Sequence, residues 1–212
     1  MTRIAVLGGT GYAGRHIVAE AVDRGHTVLS IARNLPAERV PGATYQEGTL
    51  LDVPALAAEL QGVEVLVSAI APRGDMLGSV RPNLEALWSV LPDEVRVGVI
   101  GGAGGSLVAE GGPRVIDSGF PEAFKAEAQE AIGILDDLLA EASGRDWFFV
   151  HPAGGFGSFA PGERTGKYRT GGDVIVTDEN GESFISGADL AIAVLDEIDD
   201  PAHHRARFTV GY

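Results

Sequence analysis

The residues best placed to do chemistry stand near the start of the chain, where three glycines follow a short apolar segment. Gly8, Gly11 and Gly14 have the spacing G-x-x-G-x-x-G, with Thr10 and Tyr12 between them. In a dinucleotide-binding turn, the first glycine allows a tight bend, the second lets the backbone approach a pyrophosphate, and the third lets the next helix pack closely. The spacing therefore predicts a dinucleotide site at this turn, although ordinary turns also contain such glycines.

Both flanks of the turn have the pattern that such a site needs. Residues 3–7 are mostly apolar, as in a buried strand, and after the turn Ile17, Val18, Ala21 and Val22 recur at helical spacing. A helix that begins at Tyr12 would direct unpaired N–H groups and the positive end of its dipole towards phosphates.

The end of the second predicted strand, residues 27–31, indicates which nicotinamide cofactor binds. An acidic residue about 20 positions beyond the motif would bind the ribose 2′-OH of NAD, whereas an arginine suits the 2′-phosphate of NADP. No acidic residue stands between His26 and Ala37, and Arg33 follows the strand. The sequence therefore favours NADP(H) over NAD(H), unless Arg33 is only a solvated loop residue.

Two later strand ends would lie beside the glycine turn. Ser68, Ala69 and Ile70 end an apolar strand and would border the nicotinamide. Gly101 and Gly102 begin a glycine cluster after the fifth strand, which predicts close backbone approach or positive φ. We expect these five residues to bind the cofactor.

Two polar residues at strand ends are the catalytic candidates. Ser106 could bond substrate or nicotinamide, or could cap the local glycine turn. His151 could line the pocket or be a hydrogen-bonded structural histidine. A basic cluster, Arg164, Lys167 and Arg169, could hold an anionic group or be a solvated hairpin.

The elements that position these residues alternate between strands and helices, which predicts an α/β fold with a doubly wound parallel sheet and helices on both faces. We predict strands near residues 27–31, 43–47, 63–70, 95–100, 146–151 and 206–210, and helices near 54–60, 79–91, 121–142 and 187–198, besides the first strand and helix. Glycines punctuate residues 152–185, with short strands at 167–169 and 174–177. We therefore expect a single domain, 1–212, with a small C-terminal substrate lobe over about 152–185.

Composition limits the partners. The chain has 30 acidic and 16 basic side chains, a formal charge of −14 and no cysteine. Such a charge disfavours nucleic acid and anionic membranes, and the sequence has no apolar run of about 18 residues, so we expect a cytoplasmic protein. His203 and His204 lack partners at metal-binding spacing, and no metal is expected. The oligomeric state stays open.

Four motifs together resemble a known group. Residues 8–14, 99–106, 161–169 and 207–212 are similar to the atypical short-chain dehydrogenase/reductases of the NADH-flavin reductase type, whose wider relatives include the redox-sensing NmrA-like proteins. The resemblance runs from end to end of the chain. It implies a Rossmann-like domain with NAD(P) along the strand ends.

One departure from the wider superfamily bears on mechanism. Typical members use a Tyr-x-x-x-Lys pair, but none of the four tyrosines here precedes a lysine at that spacing, and Pro121 stands four residues before Lys125. Flavin reduction needs no tyrosine acid, because solvent can supply the proton. We therefore expect an NAD(P)H-dependent reductase with a flat small-molecule acceptor such as a flavin. The alternative is a non-enzymatic dinucleotide-binding redox sensor.

Overall fold

The computed structural model describes residues 1–141 and 143–212, which form one eight-stranded sheet with five helices around it. The strand order is β3-β2-β1-β4-β5-β6-β8-β7, and only the edge strand β7 is antiparallel to its neighbour. The strands are β1 (Arg3–Leu7), β2 (Thr27–Ala32), β3 (Thr44–Glu47), β4 (Val65–Ser68), β5 (Arg96–Ile100), β6 (Trp147–Pro152), β7 (Arg169–Gly171) and β8 (Ala206–Gly211).

Helices cover both faces of this sheet. They are α1 (Tyr12–Asp23), α2 (Val53–Glu59), α3 (Val80–Val90), α4 (Glu122–Ala140) and α5 (Gly187–Asp199). Buried residues of α1 and α5 belong to one apolar core, and those of α2, α3 and α4 mainly to another on the opposite face. This architecture is the predicted Rossmann-like, doubly wound fold.

Burial on both faces explains why the central strands are almost continuously apolar. In β1, Ile4 and Val6 face the core under α1 and α5, whereas Ala5 and Leu7 face the other core. From β1 the chain adds β2 and β3 on one side of the sheet and then returns to add β4 and β5 on the other side, so the direction in which strands are added reverses at β1. In such sheets, ligands bind at the carboxyl ends of the strands beside this reversal.

Local signals set most element boundaries. Gly25, at φ +81°, follows the end of α1, and Asp52 caps α2 by accepting from the N–H of Ala55 at 3.2 Å, as predicted. The predicted end of α4, Ala142, lies outside the described residues. Within the part of the chain that the structure describes, no helix is long and apolar enough to span a membrane.

The predicted strand at 174–177 was wrong. Val174 forms only an isolated parallel bridge with Leu107, and the N–H of Ile175 donates to the carbonyl of Leu107 at 2.9 Å. This segment pairs with a loop rather than with the sheet, because β7 already occupies the free edge of β8.

Candidate functional site

The glycine turn at the carboxyl end of β1 is a compact backbone bend. Gly8 has φ +75°, and its N–H donates to the carbonyl of Ile31 at 2.8 Å. Its own carbonyl accepts from the N–H of Gly11 at 2.9 Å. A Cβ atom at Gly8 would lie 3.0 Å from the carbonyl oxygen of Ala69, so glycine lets the ends of β1 and β4 lie close together.

Gly14 lets α1 pack directly on this turn. A Cβ atom there would stand 2.2 Å from the carbonyl oxygen of Gly8 and 2.7 Å from the Cα of Gly9. A larger side chain would push the helix off the turn. This is the packing role that the motif predicts for its third glycine.

The start of α1 is open. Gly11 is its exposed N-cap residue, with extended backbone and no side chain to accept from the helix. The first turn contains no acidic residue. Among the described residues, a Cβ atom on Gly11 would meet only the carbonyl of Gly8, at 3.2 Å. The positive end of the helix dipole therefore faces space that an anionic group can enter.

A cleft of about 250 Å³ runs from this turn to the ends of β2 and β4. It brings together six of the predicted cofactor-binding residues: Gly8, Thr10, Gly11, Arg33, Ala69 and Ile70. It also contains residues that sequence reasoning missed, among them Asn34, Gly48, Thr49, Leu50, Leu56, Arg73 and Met76. Several of these residues, such as Gly48 and Thr49 after β3 and Arg73 after β4, lie just beyond the carboxyl ends of predicted strands. That position was the one signal in the sequence that could have identified them.

Arg33 is half exposed at the rim of the cleft and forms an ion pair with Asp75. The nearby Arg73 makes a two-pronged ion pair with Glu127 of α4, both bonds being 2.7 Å. Hydrogen bonding to this carboxylate raises the pKa of the Arg73 guanidinium. Both arginines of the cleft therefore have an acidic partner.

Five predicted cofactor residues do not line the cleft: Tyr12, Gly14, Ser68 and the two glycines after β5, Gly101 and Gly102. Gly14 is buried under the turn. The Tyr12 hydroxyl donates to the carbonyl of Pro161 at 2.9 Å and accepts from the N–H of Gly187 at 3.0 Å, so it joins α1 to the lobe and to α5. The hydroxyl of Ser68 is buried and has no hydrogen-bond partner among the described residues.

The two glycines at the end of β5 differ. A Cβ atom on Gly101 would lie 2.2 Å from the ring of Phe149, so packing against β6 requires glycine there. A Cβ atom on Gly102 would meet nothing within 4 Å among the described residues. Neither residue lines the cleft, and Gly102 is the one that faces open space.

His151 and Ser106, the two catalytic candidates, are both buried. Nδ1 of His151 lies 2.8 Å from the carbonyl oxygen of Gly102; because a carbonyl only accepts, this nitrogen carries the proton. Burial lowers the pKa of His151 to about 4, so the ring is neutral at pH 7. The Ser106 hydroxyl donates to the carbonyl of Ala103 at 2.5 Å. Both contacts shape the glycine cluster, and a catalytic role for either residue stays a prediction.

A second cavity, of about 520 Å³, lies between the segment 114–120 and α4. Phe120, Ile116 and Ile132 supply apolar wall. The charged lining residues are Asp117, Arg114, which pairs with Asp136 at 2.8 Å, and Lys125, which pairs with Glu122 at 2.7 Å. A Cβ atom on Gly104 would come 3.5 Å from the ring of Phe120, so this cavity adjoins the glycine cluster.

The four tyrosine hydroxyls all make contacts within the protein. Besides Tyr12, the hydroxyl of Tyr45 accepts from the N–H of Val40 at 3.1 Å. Tyr168 donates to Asp196, and Tyr212 donates to Asp189. Burial and the Asp196 carboxylate raise the pKa of Tyr168 above its ordinary value. None of them is in position as an activated acid beside the cleft.

The basic cluster of the lobe is partly used in anchoring. Arg164 binds Glu20 of α1 at 2.6 Å, and Arg169 donates to the carbonyl of Thr177 at 2.6 Å.

The two histidines before β8 pair with acidic side chains: His203 lies 2.6 Å from Glu197, and His204 lies 2.9 Å from Asp146. Residues 1–141 and 143–212 contain no cluster of three histidine or acidic side chains that could hold a metal.

Comparison with known proteins gives one family and several full-length relatives. The family described as NAD(P)H-binding matches residues 8–201. YwnB, an uncharacterised protein of Bacillus subtilis, is 34% identical over 215 residues, which cover 98% of this chain and 97% of that protein.

Two solved structures are similar over nearly their whole length. A Streptococcus pneumoniae protein described as a candidate NADH-flavin reductase is 32% identical, with a TM-score of 0.87 and coverage of 100% of this chain and 99% of that chain. A candidate epimerase from Bacteroides thetaiotaomicron is 29% identical, with a TM-score of 0.87 and coverage of 100% and 97%.

Proposed function

The chain belongs to the NAD(P)H-binding family, and from this premise we propose that it is an oxidoreductase that passes hydride from NADPH to a flavin or a similarly flat conjugated acceptor. The observation that carries the proposal is the open start of α1 over a glycine turn, in a cleft whose far rim holds Arg33. When bound, the reduced nicotinamide supplies the hydride, and a flavin accepts it at N5.

The cleft fits a dinucleotide on its own geometry. Gly11 leaves space in front of backbone N–H groups at the start of α1, where a pyrophosphate is favoured. Gly8 lets the end of β4 lie close, so Ala69 and Ile70 form the adjoining wall. These residues bind and orient the cofactor rather than react with it.

Preference for NADP(H) rests on Arg33. Its guanidinium lies at the rim of the cleft beside Asn34, after β2. A planar guanidinium can bind a 2′-phosphate through two charge-assisted hydrogen bonds, which a 2′-hydroxyl cannot match.

We place the acceptor in the second cavity. It adjoins the glycine cluster, and Phe120, Ile116 and Ile132 give it an apolar wall suited to a flat conjugated ring. The tyrosines are engaged elsewhere, so solvent supplies the proton and catalysis rests on proximity and orientation. Positioning of this kind can lower a barrier by as much as about 7–11 kcal/mol.

The test is steady-state oxidation of NADPH by the whole protein with FMN, riboflavin, a quinone and an aldehyde as separate acceptors. We expect turnover with the flavins and little with the aldehyde. Turnover with the aldehyde alone would contradict the proposal. Tight NADPH binding without turnover on any acceptor would support the redox sensor instead, which the engaged tyrosines also favour.

Two variants separate the acceptor site from the cofactor site. Phe120→Ala should raise KM for the flavin while leaving the Kd of NADPH unchanged. Gly102→Val introduces side-chain atoms into open space, so we expect it to lower turnover without loss of folding. Gly172→Val is the matched control, because a Cβ atom there also meets nothing within 4 Å among the described residues, but in the lobe.

A further inference from the structure

Asp75 lies at the tip of β2 although it belongs to a distant part of the sequence. It stands in the loop between β4 and α3, 42 residues after Arg33, and its carboxylate pairs with the Arg33 guanidinium. Its neighbours Arg73 and Met76 line the cleft. The structure therefore places an acidic group beside Arg33, next to a strand end where the local sequence has none.

The loop that carries Asp75 is fixed at several points. Arg73 binds Glu127, and Glu130 accepts from the N–H of Gly78 at 2.5 Å and from that of Arg81 at 3.0 Å. Met76 is buried between these anchors. Asp75 therefore projects from an anchored segment, with most of its side chain exposed.

The chemistry of an acid beside Arg33 differs between the two cofactors. A 2′-phosphate carries close to two negative charges, so when it binds Arg33 it lies near the Asp75 carboxylate, which repels it and competes for the guanidinium. A ribose 2′-hydroxyl can instead donate a hydrogen bond to that carboxylate, as it does to the acidic residue of NAD-binding folds. The same side chain disfavours one cofactor and favours the other.

We propose that Asp75 is a specificity-determining residue that limits the preference for NADP(H) set by Arg33 and accepts a hydrogen bond from the 2′-hydroxyl of NAD(H). This assignment rests on the proposed dinucleotide site. It makes the Arg33–Asp75 pair, rather than Arg33 alone, the determinant of cofactor choice. The chain then binds both cofactors, and a single neutralising substitution at Asp75 shifts the balance.

The experiment is calorimetric titration of Asp75→Asn and wild-type protein with 2′,5′-ADP and 5′-ADP, at low ionic strength because exposed ion pairs are screened by salt. Asp75→Asn should bind 2′,5′-ADP about 3- to 10-fold more tightly, as expected for loss of an exposed competing charge. It should bind 5′-ADP no more tightly than wild type does. Titrations with NADPH and NADH should show the same change in ratio.

The matched control is Asp93→Asn. Asp93 is also exposed and paired with an arginine, Arg145, but it precedes β5 at the opposite end of the sheet. Asp93→Asn removes the same charge and should leave the affinities for 2′,5′-ADP and 5′-ADP unchanged. The assignment of Asp75 would be overturned if the ratio of 2′,5′-ADP affinity to 5′-ADP affinity in Asp75→Asn stayed within twofold of the wild-type ratio. It would also be overturned if Asp93→Asn changed that ratio by the same factor. Failure of both nucleotides to bind wild type would instead refute the dinucleotide site on which it rests.

Discussion

Two helices that pack side by side on one face of the sheet, α1 and α5, begin in opposite ways. At α1 the N-cap is Gly11, which has no side chain to satisfy the helix. At α5 the side chain of Ser186 accepts from the N–H of Asp189 at 3.1 Å, and buried Asp189 accepts from the N–H of Thr165 at 2.8 Å. One helix start is left open, and the other is closed by the protein itself.

The difference separates binding from anchoring. An anion at a helix start is stabilised by the same dipole whether it is a ligand or a side chain. Asp189 occupies that position at α5 and binds Thr165 and Gly166, so it holds the lobe in place. At α1 the position is free for the phosphates of a cofactor.

The largest effect should come from opening α5. Asp189→Ala would remove a buried carboxylate that accepts partly buried hydrogen bonds from Thr165, Gly166 and Tyr212, so we expect a loss of about 2–4 kcal/mol in the free energy of unfolding. Urea unfolding measures it. Glu94→Ala, at an exposed loop position before β5, is the control and should cost less than about 0.5 kcal/mol. Equal losses in the two variants would contradict the anchoring role.

Acid should weaken the same anchor. Burial opposes the charge of Asp189, but hydrogen bonds from Tyr212, Thr165 and Gly166 outweigh it and hold the pKa below its ordinary value. This contribution to stability is therefore present above the unfolded pKa of about 4 and is lost as pH falls through the lower folded value.

The next effect tests the cofactor side. Arg33→Ala should weaken NADPH by about 10- to 100-fold and NADH little, because charge-assisted hydrogen bonds to the 2′-phosphate are lost. Arg81→Ala is a matched control, since Arg81 is equally exposed and also pairs with an aspartate, Asp137. Fluorescence titration measures both affinities. Equal weakening of the two cofactors by Arg33→Ala would show that this arginine does not select the phosphate.

His151 should make a smaller contribution, which depends on pH. Because burial lowers its folded pKa from 6.5 to about 4, the unfolded chain binds the extra proton between these values, and stability falls as pH falls through that window. Between pH 7 and pH 5 the loss from this residue is about 2 kcal/mol. Unfolding at the two pH values should show that His151→Asn, which can still donate to Gly102, loses less than wild type. An equal loss of unfolding free energy between pH 7 and pH 5 in wild type and His151→Asn would contradict a buried neutral His151.

The smallest effect is expected at Tyr168. Its hydroxyl binds Asp196 of α5, on the anchoring side of the molecule. Tyr168→Phe should keep kcat for flavin-dependent NADPH oxidation within about twofold, because no acid is removed from the reaction. Abolished turnover with intact NADPH binding would show instead that a tyrosine supplies the proton.

Local patterns predicted most of the fold. The glycine spacing and the apolar periodicity placed the start of α1 at Tyr12, and Asp52 was correctly interpreted as a cap. These features depend on residues within one turn of each other. The predicted strand at 174–177 failed because β7 takes the free edge of β8, and no local pattern specifies which segment occupies that edge.

The candidate site was predictable only in its local part. Gly8 and Arg33 follow strands directly and Gly11 precedes α1, and the structure brings the three into one cleft. Asp75 was missed because the search for an acid covered only the residues next to β2, whereas the fold brings one from the loop after β4. The second cavity depends on the packing of the segment 114–120 against α4, which no local pattern specifies.

The most direct test of the open helix start is NADPH titration of Gly11→Val beside wild type and Gly172→Val. A Cβ atom at Gly11 would lie 3.2 Å from the carbonyl of Gly8 and within 4 Å of no other atom in the part of the chain that the structure describes, so we expect the variant to fold with a small local shift. The valine side chain would occupy the space of the pyrophosphate. We predict that Gly11→Val loses at least about 100-fold in NADPH affinity, while wild type and Gly172→Val bind equally well. Unchanged NADPH affinity in folded Gly11→Val would contradict the account.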